Sequence, residues 1–305
     1  MSALQDYGSR LGLLKSKLLS ARSPINLGGW NVRARPRSIS IASGKGGTGK
    51  TTLTANLGIA LGSLGRDVCI LDGDLAMANL GIIMGMHKCE VSFLDVLTGK
   101  ADIKDVIYEN HGIKVVPTGF RFEDVHDVLS KVKRERIEEI IGGLLQQTEF
   151  LLIDAPAGIA DATIISIAAA REMLPVCTPT YPSLVDCYKT IRLANVLGSW
   201  ARGLVVNRTG KAADLSLGEV EHFMGRTLGA MPILSDIPED PKVQEAEREG
   251  VPVVVYEPEC VASLAINELA KVVAGEADLP YVPYEEPAVV ETTKRLIRAL
   301  TGRRA

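Results

Sequence analysis

The organisation of this 305-residue chain follows from Ser43-Gly44-Lys45-Gly46-Gly47-Thr48-Gly49-Lys50-Thr51-Thr52, a run that contains four glycines. An apolar, β-branched segment precedes it, Ser38-Ile39-Ser40-Ile41-Ala42. A segment with helical character follows it, Leu53-Thr54-Ala55-Asn56-Leu57-Gly58-Ile59-Ala60-Leu61. Glycine adopts backbone conformations that other residues avoid, so a glycine-rich run suits a tight loop between two regular elements. We therefore predict strand, loop and helix in succession over residues 38–61.

This loop fits the pattern of a phosphate-binding P-loop, in which Gly44 and Gly49 are followed by Lys50 and Thr51. In such a loop the backbone N–H groups point at a phosphate, and the positive N-terminal end of the next helix adds to the attraction. Lys50 would reach the β- and γ-phosphates, and Thr51 would offer its hydroxyl to Mg²⁺. The competing interpretation is a glycine-rich turn without a ligand. All fixed positions and both flanking segments are correct, which favours the phosphate site.

A second lysine, Lys45, stands near the start of the loop. A generic P-loop does not need a lysine at this position. It would lie on the outer side of the phosphate cradle. From there its amine could stay in solvent or reach a phosphate that a second subunit holds.

Length and composition describe an ordinary globular chain that can bury a large core in one α/β domain. Apolar residues make up 46% and charged residues 23%, and the net charge of -3 gives no global attraction to nucleic acid or anionic lipid. The five cysteines include no C-x-x-C pair, which disfavours a zinc site, an iron–sulfur cluster and a disulfide framework. A reducing cytoplasm is the natural compartment. The chain shows no signal peptide and no run of about 20 apolar residues that could span a membrane.

Short apolar segments alternate with longer helical patterns from residue 38 onward. Several of these segments are apolar at successive positions, as strands buried on both faces should be. Predicted strands cover residues 38–42, 67–71, 113–117, 150–153, 175–178, 204–206 and 229–234. This alternation predicts an α/β fold, a doubly wound and mainly parallel sheet flanked by helices. Polar residues follow the strand ends at Asp72, Asp154, Asn207 and Asp236, where ligands bind in open α/β sheets.

Basic segments with amphipathic character flank the predicted core domain of residues 38–279. In residues 1–37, Leu4, Tyr7, Leu11, Leu14 and Leu18 share a helical stripe, and a linker follows. The hypotheses for this segment are a docking helix or weak membrane anchor, and a helix packed on its own domain or a loose tail. In residues 280–305 a proline-rich linker precedes a short basic amphipathic helix, which suits an interfacial membrane anchor. The alternative is a helix that docks on the core or frays.

Three aspartates supply candidate metal and acid–base chemistry. Asp72 and Asp74 follow the second predicted strand, and Asp154 follows the fourth. An aspartate behind an apolar strand, downstream of a P-loop, can hold Mg²⁺ through its water shell. Two carboxylates one residue apart can divide the work between a metal-bound water and an attacking water. A single aspartate at a strand end is more often a cap or a turn residue, but convergence of three on one loop favours the chemical role.

The motifs together resemble the MinD/ParA class of ATPases with a deviant Walker A loop, closest to archaeal MinD-like proteins. Lys45 corresponds to the signature lysine of that loop. Asp72-Gly73-Asp74-Leu75-Ala76-Met77-Ala78-Asn79-Leu80 and Asp154-Ala155-Pro156-Ala157-Gly158 resemble its switch regions. Ile237-Pro238-Glu239-Asp240-Pro241 and Glu249-Gly250-Val251-Pro252-Val253 resemble its adenine-side loop. The likeness covers roughly residues 37–275, and the first forty residues depart from the family, whose P-loop usually starts near the first residue.

The resemblance implies a role for each matching position, with ATP and Mg²⁺ as cofactors. Residues 46–52 would cradle the phosphates, Lys50 would hold the β/γ-phosphates, and Thr51 with Asp72 and Asp154 would support the metal. Asp74 would position the hydrolytic water. The adenine would lie against Asn207 and Arg208, aided by the backbone of Pro238, Glu239 and Asp240. Lys45 would reach across a two-fold interface, so the resemblance assigns catalytic roles to Lys45, Lys50 and Asp74.

The resemblance also implies partners and a place in the cell. A homodimer would form on ATP binding, and the C-terminal helix would hold it on an anionic membrane surface at the inner face of the cell membrane. An activating protein would stimulate slow ATP hydrolysis, with the N-terminal helix as its contact. The alternatives are a DNA-binding partition ATPase of the ParA type, an FlhG-like regulator of motility machinery, a metal-cluster carrier or electron donor, and a non-catalytic adaptor. Basic clusters lie chiefly in the two tails, so nucleic acid is not the expected partner.

Overall fold

The computed structural model describes residues 36–86, 89–119, 134–210, 213–229 and 231–276. The predicted amphipathic helices near the two ends of the chain lie outside these residues, and both remain predictions. Across the described part of the chain, no helix combines the length and the apolar character needed to cross a membrane.

Within the described residues, the core is one sheet of nine strands. In chain order they are β1 (Arg37–Ala42), β2 (Val68–Asp72), β3 (Tyr108–Asn110), β4 (Ile113–Val116), β5 (Phe150–Asp154), β6 (Glu172–Cys177), β7 (Trp200–Ala201), β8 (Leu204–Thr209) and β9 (Ile233–Pro238). Their spatial order is β3-β4-β2-β5-β1-β6-β8-β9, and β7 also pairs with β6. Every pair is parallel except β3 with β4. The predicted mainly parallel sheet is therefore confirmed.

Helices cover both faces of this sheet. They are α1 (Lys50–Ser63), α2 (Leu80–Ile83), α3 (Phe93–Leu97), α4 (Arg134–Gln146), α5 (Asp161–Ala169), α6 (Tyr181–Leu197), α7 (Leu217–Leu228), α8 (Pro241–Glu249), α9 (Val253–Tyr256) and α10 (Val261–Ala274). Buried side chains of α1 and α10 pack on one face of the strands. Helices α3 and α4 cover part of the other face, and α6 and α7 cover the rest. Burial on both faces explains why the strand sequences are continuously apolar.

Register in the centre of the sheet brings the predicted site residues together. Strand β5 pairs with both β1 and β2, so Asp154 lies beside Asp72 on one side and Ile41 on the other. Ile41 is followed by Ala42, the last residue of β1, and then by the glycine-rich loop. Two buried aspartates and the loop consequently share the carboxyl edge of the sheet, which is where open α/β sheets bind ligands.

Several strand boundaries differ from the sequence prediction. Strand β9 begins at Ile233 because Gly229, with φ 81°, ends α7 and Pro232 lacks a backbone N–H. Asp236, predicted to follow a strand end, lies exposed within β9. Strand β8 continues through Asn207 because its pairing with β9 continues to Thr209. The sequence prediction missed β3 and β7, which are only three and two residues long, and it assigned Arg37, the first residue of β1, to the preceding linker.

Candidate functional site

The glycine-rich loop connects β1 to α1 and is held in shape by its own polar groups. Ser43 donates a hydrogen bond from Oγ to the carbonyl of Lys45 at 2.6 Å. Thr48 Oγ1 in turn donates to Ser43 Oγ at 2.9 Å. Gly47 and Gly49 have φ angles of 75° and 87°, a left-handed conformation that favours glycine. These conformations turn the chain directly into the first turn of α1.

Two glycines are required by close neighbours. A Cβ atom on Gly44 would lie 2.4 Å from the carbonyl oxygen of Asp186 in α6. A Cβ atom on Gly49 would lie 2.2 Å from Nδ2 of Asn207, which donates a hydrogen bond to the carbonyl of Thr48 at 2.8 Å. The loop therefore packs closely against α6 at Gly44 and against β8 at Gly49.

Lys50 is buried at the end of this loop. Its ammonium Nζ lies 3.4 Å from the carbonyl oxygen of Lys45, so the side chain folds back over the loop. Burial lowers the pKa of Lys50, while the negative charges of Asp154 and Asp74 act in the opposite direction. A phosphate in the loop would add negative charge beside this buried ammonium and oppose the effect of burial.

Asp72 and Asp154 form a buried carboxylate pair behind the loop. They are 0% and 1% exposed, and burial raises the pKa of both groups, that of Asp154 to about 6. Thr51, Lys50 and Thr54 oppose the shift at Asp154, and Thr54 Oγ1 donates to its Oδ1 at 3.1 Å. Within the described part of the chain, Oδ2 of each aspartate has no hydrogen-bond partner.

These unpaired buried oxygens fit a hydrated Mg²⁺ ion. Carboxylate oxygens are hard ligands, and Mg²⁺ usually keeps several waters while it binds one or two carboxylates and substrate phosphates. The described residues contain no group of three or more His, Cys, Asp or Glu side chains arranged to hold a metal. The prediction that Thr51, Asp72 and Asp154 hold the ion together with a phosphate remains a prediction.

Asp74 lies on the loop that leaves β2 and is half-buried. Its backbone N–H donates to Oδ1 of Asp72 at 3.1 Å. Its own Oδ1 accepts a hydrogen bond from the N–H of Met77 at 2.9 Å. Because the charge of Asp74 acts on the ammonium of Lys50, both groups belong to one electrostatic site. The second carboxylate oxygen of Asp74 can still accept a bond from a water molecule.

The predicted base-side residues line a pocket that opens to solvent. It begins at Gly49 of the loop and Thr52 of α1 and extends along α8 as far as Glu247. All five predicted base-side residues line it: Asn207, Arg208, Pro238, Glu239 and Asp240. Their proposed contact with adenine remains a prediction, but the structure brings them to one cavity beside the loop.

The side chains of Asn207 and Asp240 already make hydrogen bonds within the structure. Oδ1 of Asn207 accepts from the N–H of Arg208 at 3.0 Å, and Arg208 has a left-handed φ of 60°. Asp240 caps α8 by accepting from the N–H of Lys242 at 2.9 Å. Asn207 thus fixes the base side of the loop as well as lining the pocket.

Sequence reasoning missed two residues that bond to predicted site residues, Thr54 and Glu247. Thr54 bonds Asp154, as described above, and the Oγ1 of Thr52 donates to Oε1 of Glu247 at 2.5 Å. The helical spacing of Asp240, Val243, Gln244 and Glu247 was the available signal, since these residues share one face of α8. That spacing alone could not show that the face lies against a loop nearly two hundred residues earlier.

Asp154 gives a pH-dependent stability that can be measured without a ligand. Its proton is bound more tightly in the folded chain than in the unfolded chain, so stability falls as pH rises from its ordinary pKa of 3.8 to about 6. Relative to the parent chain, Asp154→Asn should gain up to about 3 kcal/mol of unfolding free energy between about pH 4 and about pH 7.5. Denaturant titrations at both pH values measure this, with exposed Asp214→Asn as control. A difference that is independent of pH would contradict the buried charge.

Lys45 is exposed, and large exposed apolar side chains lie on three segments that approach the site or its loop. Met77 (70% exposed) follows Asp74, and Ile159 (50%) follows Ala157, which lies against Gly46. Tyr181 (58%) and Val185 (38%) precede Asp186, which touches Gly44. We call Met77, Ile159, Tyr181 and Val185 the apolar rim. Exposed apolar groups that cluster around a functional loop mark an interaction surface.

Comparison with known proteins places these features in a family. A family model described as "ParA: NUBPL iron-transfer P-loop NTPase" matches residues 35–274. An uncharacterized ATP-binding protein of Methanocaldococcus jannaschii is 38% identical over 269 residues, which are 88% of this chain and 97% of that protein.

Two solved structures are similar throughout the described core. The cell division ATPase MinD of Pyrococcus furiosus is 38% identical with a TM-score of 0.71, covering 79% of this chain and 99% of that one. The septum site-determining protein MinD of Pyrococcus horikoshii, solved with Mg-ADP, is 35% identical with a TM-score of 0.70, covering 80% and 100%. The chain therefore belongs to the ParA/MinD family of P-loop NTPases.

Proposed function

We propose that this protein is an ATP-hydrolysing switch that dimerises with ATP, binds a membrane in that form and positions cellular machinery. ATP and Mg²⁺ are the cofactors, in keeping with the family and with a relative solved with Mg-ADP. The machinery would be a division site or a surface apparatus. The observation that carries the proposal is Lys45, an exposed lysine of the P-loop, together with the exposed apolar rim on segments that approach the site.

The site residues divide the chemistry among them. Lys50 would bind the β- and γ-phosphates. Thr51 would bind the metal ion together with Asp72 and Asp154. The bound Mg²⁺ would neutralise the charge that develops on the phosphates. Asp74 orients the attacking water, for which its half-buried position beside Asp72 and Lys50 is suitable. Hydrolysis by a single chain would be slow because the outer side of the γ-phosphate still needs a cation.

A second copy of the chain would supply that cation. Lys45 of each copy would cross the interface to the phosphates of the other, as an arginine finger does in trans. The apolar rim would be buried between the two copies, which gives the interface hydrophobic stabilisation. Met77 and Ile159 lie on the loops that follow β2 and β5, close in sequence to Asp74 and Ala157. The positions of these two rim side chains would therefore change with the nucleotide bound at those loops. ATP would therefore set the strength of the dimer.

Membrane binding would follow from dimerisation. The basic amphipathic segment within residues 280–305 is short, so one copy binds lipid weakly. Two copies on one dimer raise the apparent affinity through effective concentration. The protein would then be peripheral at the inner face of the cell membrane while it holds ATP. The N-terminal segment of residues 1–37 would contact the protein that stimulates hydrolysis, and hydrolysis would release the dimer.

Removal of the predicted C-terminal anchor tests whether membrane binding can be lost while nucleotide binding is kept. A chain that lacks residues 287–305 should bind ATP with unchanged affinity because the described site ends at α10. It should lose ATP-dependent sedimentation with anionic liposomes, because the predicted anchor is gone. Neutral liposomes provide the control for the basic charges. Equal sedimentation of the shortened and full-length chains would rule out the C-terminal anchor.

A further inference from the structure

Four large apolar side chains are exposed where α9 meets α10: Val255, Tyr256, Val261 and Leu264. We call these four residues the α10 patch. They lie within ten consecutive residues, and the two most exposed, Val261 and Leu264, are 54% and 51% exposed. A hydrogen bond of 3.1 Å from Ser263 Oγ to the carbonyl of Val253 joins the first turn of α10 to α9. Exposed apolar side chains grouped in this way indicate an interaction surface.

The α10 patch lies away from the nucleotide pocket. Ala262 and Ile266 of α10 line that pocket. Because an α-helix has about 3.6 residues per turn, Val261 and Leu264 lie on the opposite side of α10. The group that covers the patch is therefore not the nucleotide.

The charged side chains near the α10 patch are mainly acidic. Residues 255–276 contain four glutamates and one lysine, without aspartate or arginine. Glu257 and Glu259 lie in the turn between α9 and α10. The lysines Lys242 and Lys271 each pair with a glutamate of their own helix, at 2.7 and 2.5 Å. An apolar surface with an acidic border is complementary to a partner that is both apolar and basic.

The C-terminal segment of this chain has that combination of properties. Apolar residues recur in it at helical spacing, at Val289, Leu296, Ile297 and Leu300. Residues 289–305 contain five basic residues and one glutamate. The basic groups would meet Glu257 and Glu259 while the apolar side chains cover the α10 patch.

The position at which the chain leaves the described core allows this segment to reach the α10 patch. Gly275, with a φ of 82°, ends α10, and Arg66 holds Glu276 at 2.7 Å. The twelve residues 277–288 can span about 40 Å when extended. The 14 residues of α10 are only about 21 Å long. The apolar stripe of the N-terminal segment is separated from β1 by eighteen residues, so its effective concentration at the patch is lower.

We propose that the α10 patch docks residues 289–300 of the same chain and withholds this segment from lipid while the protein is a single copy. The apolar side chains that dock are those that would enter a membrane, so the two contacts exclude each other. Docking lowers the apparent lipid affinity in proportion to the fraction of chains whose segment is free. Two segments on an ATP dimer overcome this reduction through effective concentration. The inference rests on the proposed function, because it takes the segment to be the lipid anchor.

The first test measures the docking without lipid. Cys260 lies between Glu259 and Val261 and is half-buried, so its alkylation rate reports what covers the α10 patch. Full-length protein in ADP is treated with iodoacetamide, and modified peptides are quantified by mass spectrometry. In Leu296→Ser with Ile297→Ser, Cys260 should react about 3-fold to 10-fold faster than in the parent chain, as expected for a segment that is docked most of the time. Cys89, also half-buried, should keep its parent rate.

Three outcomes of this test overturn the proposal. The first is an unchanged rate at Cys260. The second is a faster rate only after Leu11→Ser with Leu14→Ser, which assigns the α10 patch to the N-terminal segment. The third is a parent rate that falls as protein concentration rises, which assigns the patch to a second copy of the chain.

The second test measures lipid binding by the full-length chain in ADP. Tyr256→Ser with Leu264→Ser removes apolar groups from the α10 patch without adding charge. The apparent affinity for anionic liposomes should rise about 3-fold to 10-fold over the parent chain, because more anchors are free. Val196→Ser, at an exposed valine of α6, should keep the parent affinity.

A further variant covers the case in which the patch variant does not fold, judged by circular dichroism. Glu257→Gln with Glu259→Gln removes only the acidic border and should raise the affinity by a smaller factor. If the parent chain sediments in ATP but parent and variants bind equally in ADP, the docking proposal is overturned. A parent chain that fails to sediment in ATP, with Cys260 reacting as expected, contradicts the proposed membrane anchor and leaves the docking supported.

Discussion

The Asp74→Ala variant should bind ATP but hydrolyse it about 10² to 10⁴ times more slowly than the parent chain. Loss of the carboxylate removes the group that orients the attacking water, whereas the phosphate loop and Lys50 are unchanged. Since ATP persists, the variant should also accumulate as a dimer in ATP. Phosphate release measures the rate, and light scattering measures the mass in ATP and in ADP.

The Asp74 side chain makes only a small contribution to folding, so the variant should stay folded. Its Oδ1 accepts one hydrogen bond, from the N–H of Met77, and loss of that bond should cost about 1 kcal/mol of folding free energy. Asp214→Ala, at an exposed aspartate, serves as the matched control. A monomeric Asp74→Ala chain in ATP would contradict the account, as would hydrolysis at the parent rate.

The second large effect is expected for Lys45→Ala. Removal of a cation that acts across an interface should lower ATP hydrolysis about 10³-fold, by analogy with an arginine finger supplied in trans. ATP-driven dimerisation should be lost as well, while ATP binding by the single chain persists because Lys50 and the loop backbone remain. Lys104→Ala changes another exposed lysine and should alter neither property.

Mixed samples test the direction in which Lys45 acts. A chain that carries both Lys45→Ala and Asp74→Ala supplies neither the lysine nor the water-orienting carboxylate. In a mixed sample the parent chain still supplies its own Lys45 to the variant's phosphates, which supports formation of a mixed dimer. Turnover per parent chain should fall, because the mixed dimer lacks the lysine that acts on the parent site. Turnover of Lys45→Ala alone that equals the parent rate would refute the role across the interface.

The sequence was sufficient for the parts of the site that are local in the chain. The P-loop spacing predicted a loop between strand and helix, and the structure has that loop between β1 and α1. Asp72 and Asp154 were predicted to meet at one edge because both end apolar parallel strands, and their register places them side by side. Such predictions succeed because they follow from periodicity and from the direction of parallel strands.

The parts that were missed depend on distant contacts. Gly44 is required by the backbone of Asp186, and Thr52 bonds to Glu247, which is 195 residues away. Neither contact has a local pattern, because it arises only when α6 and α8 pack beside the loop. Strand β8 was predicted too short for a related reason, since Asn207 and Arg208 are polar and only their pairing with β9 extends the strand.

The central claim is that ATP decides whether this protein resides on a membrane. The most direct measurement incubates the full-length chain with anionic liposomes and, in parallel, with duplex DNA, in ATP and in ADP. We predict that the chain sediments with liposomes in ATP, stays in solution in ADP and leaves the DNA unshifted in both. A chain that ignores the liposomes in ATP but shifts the DNA would contradict this account and support a DNA-binding partition ATPase.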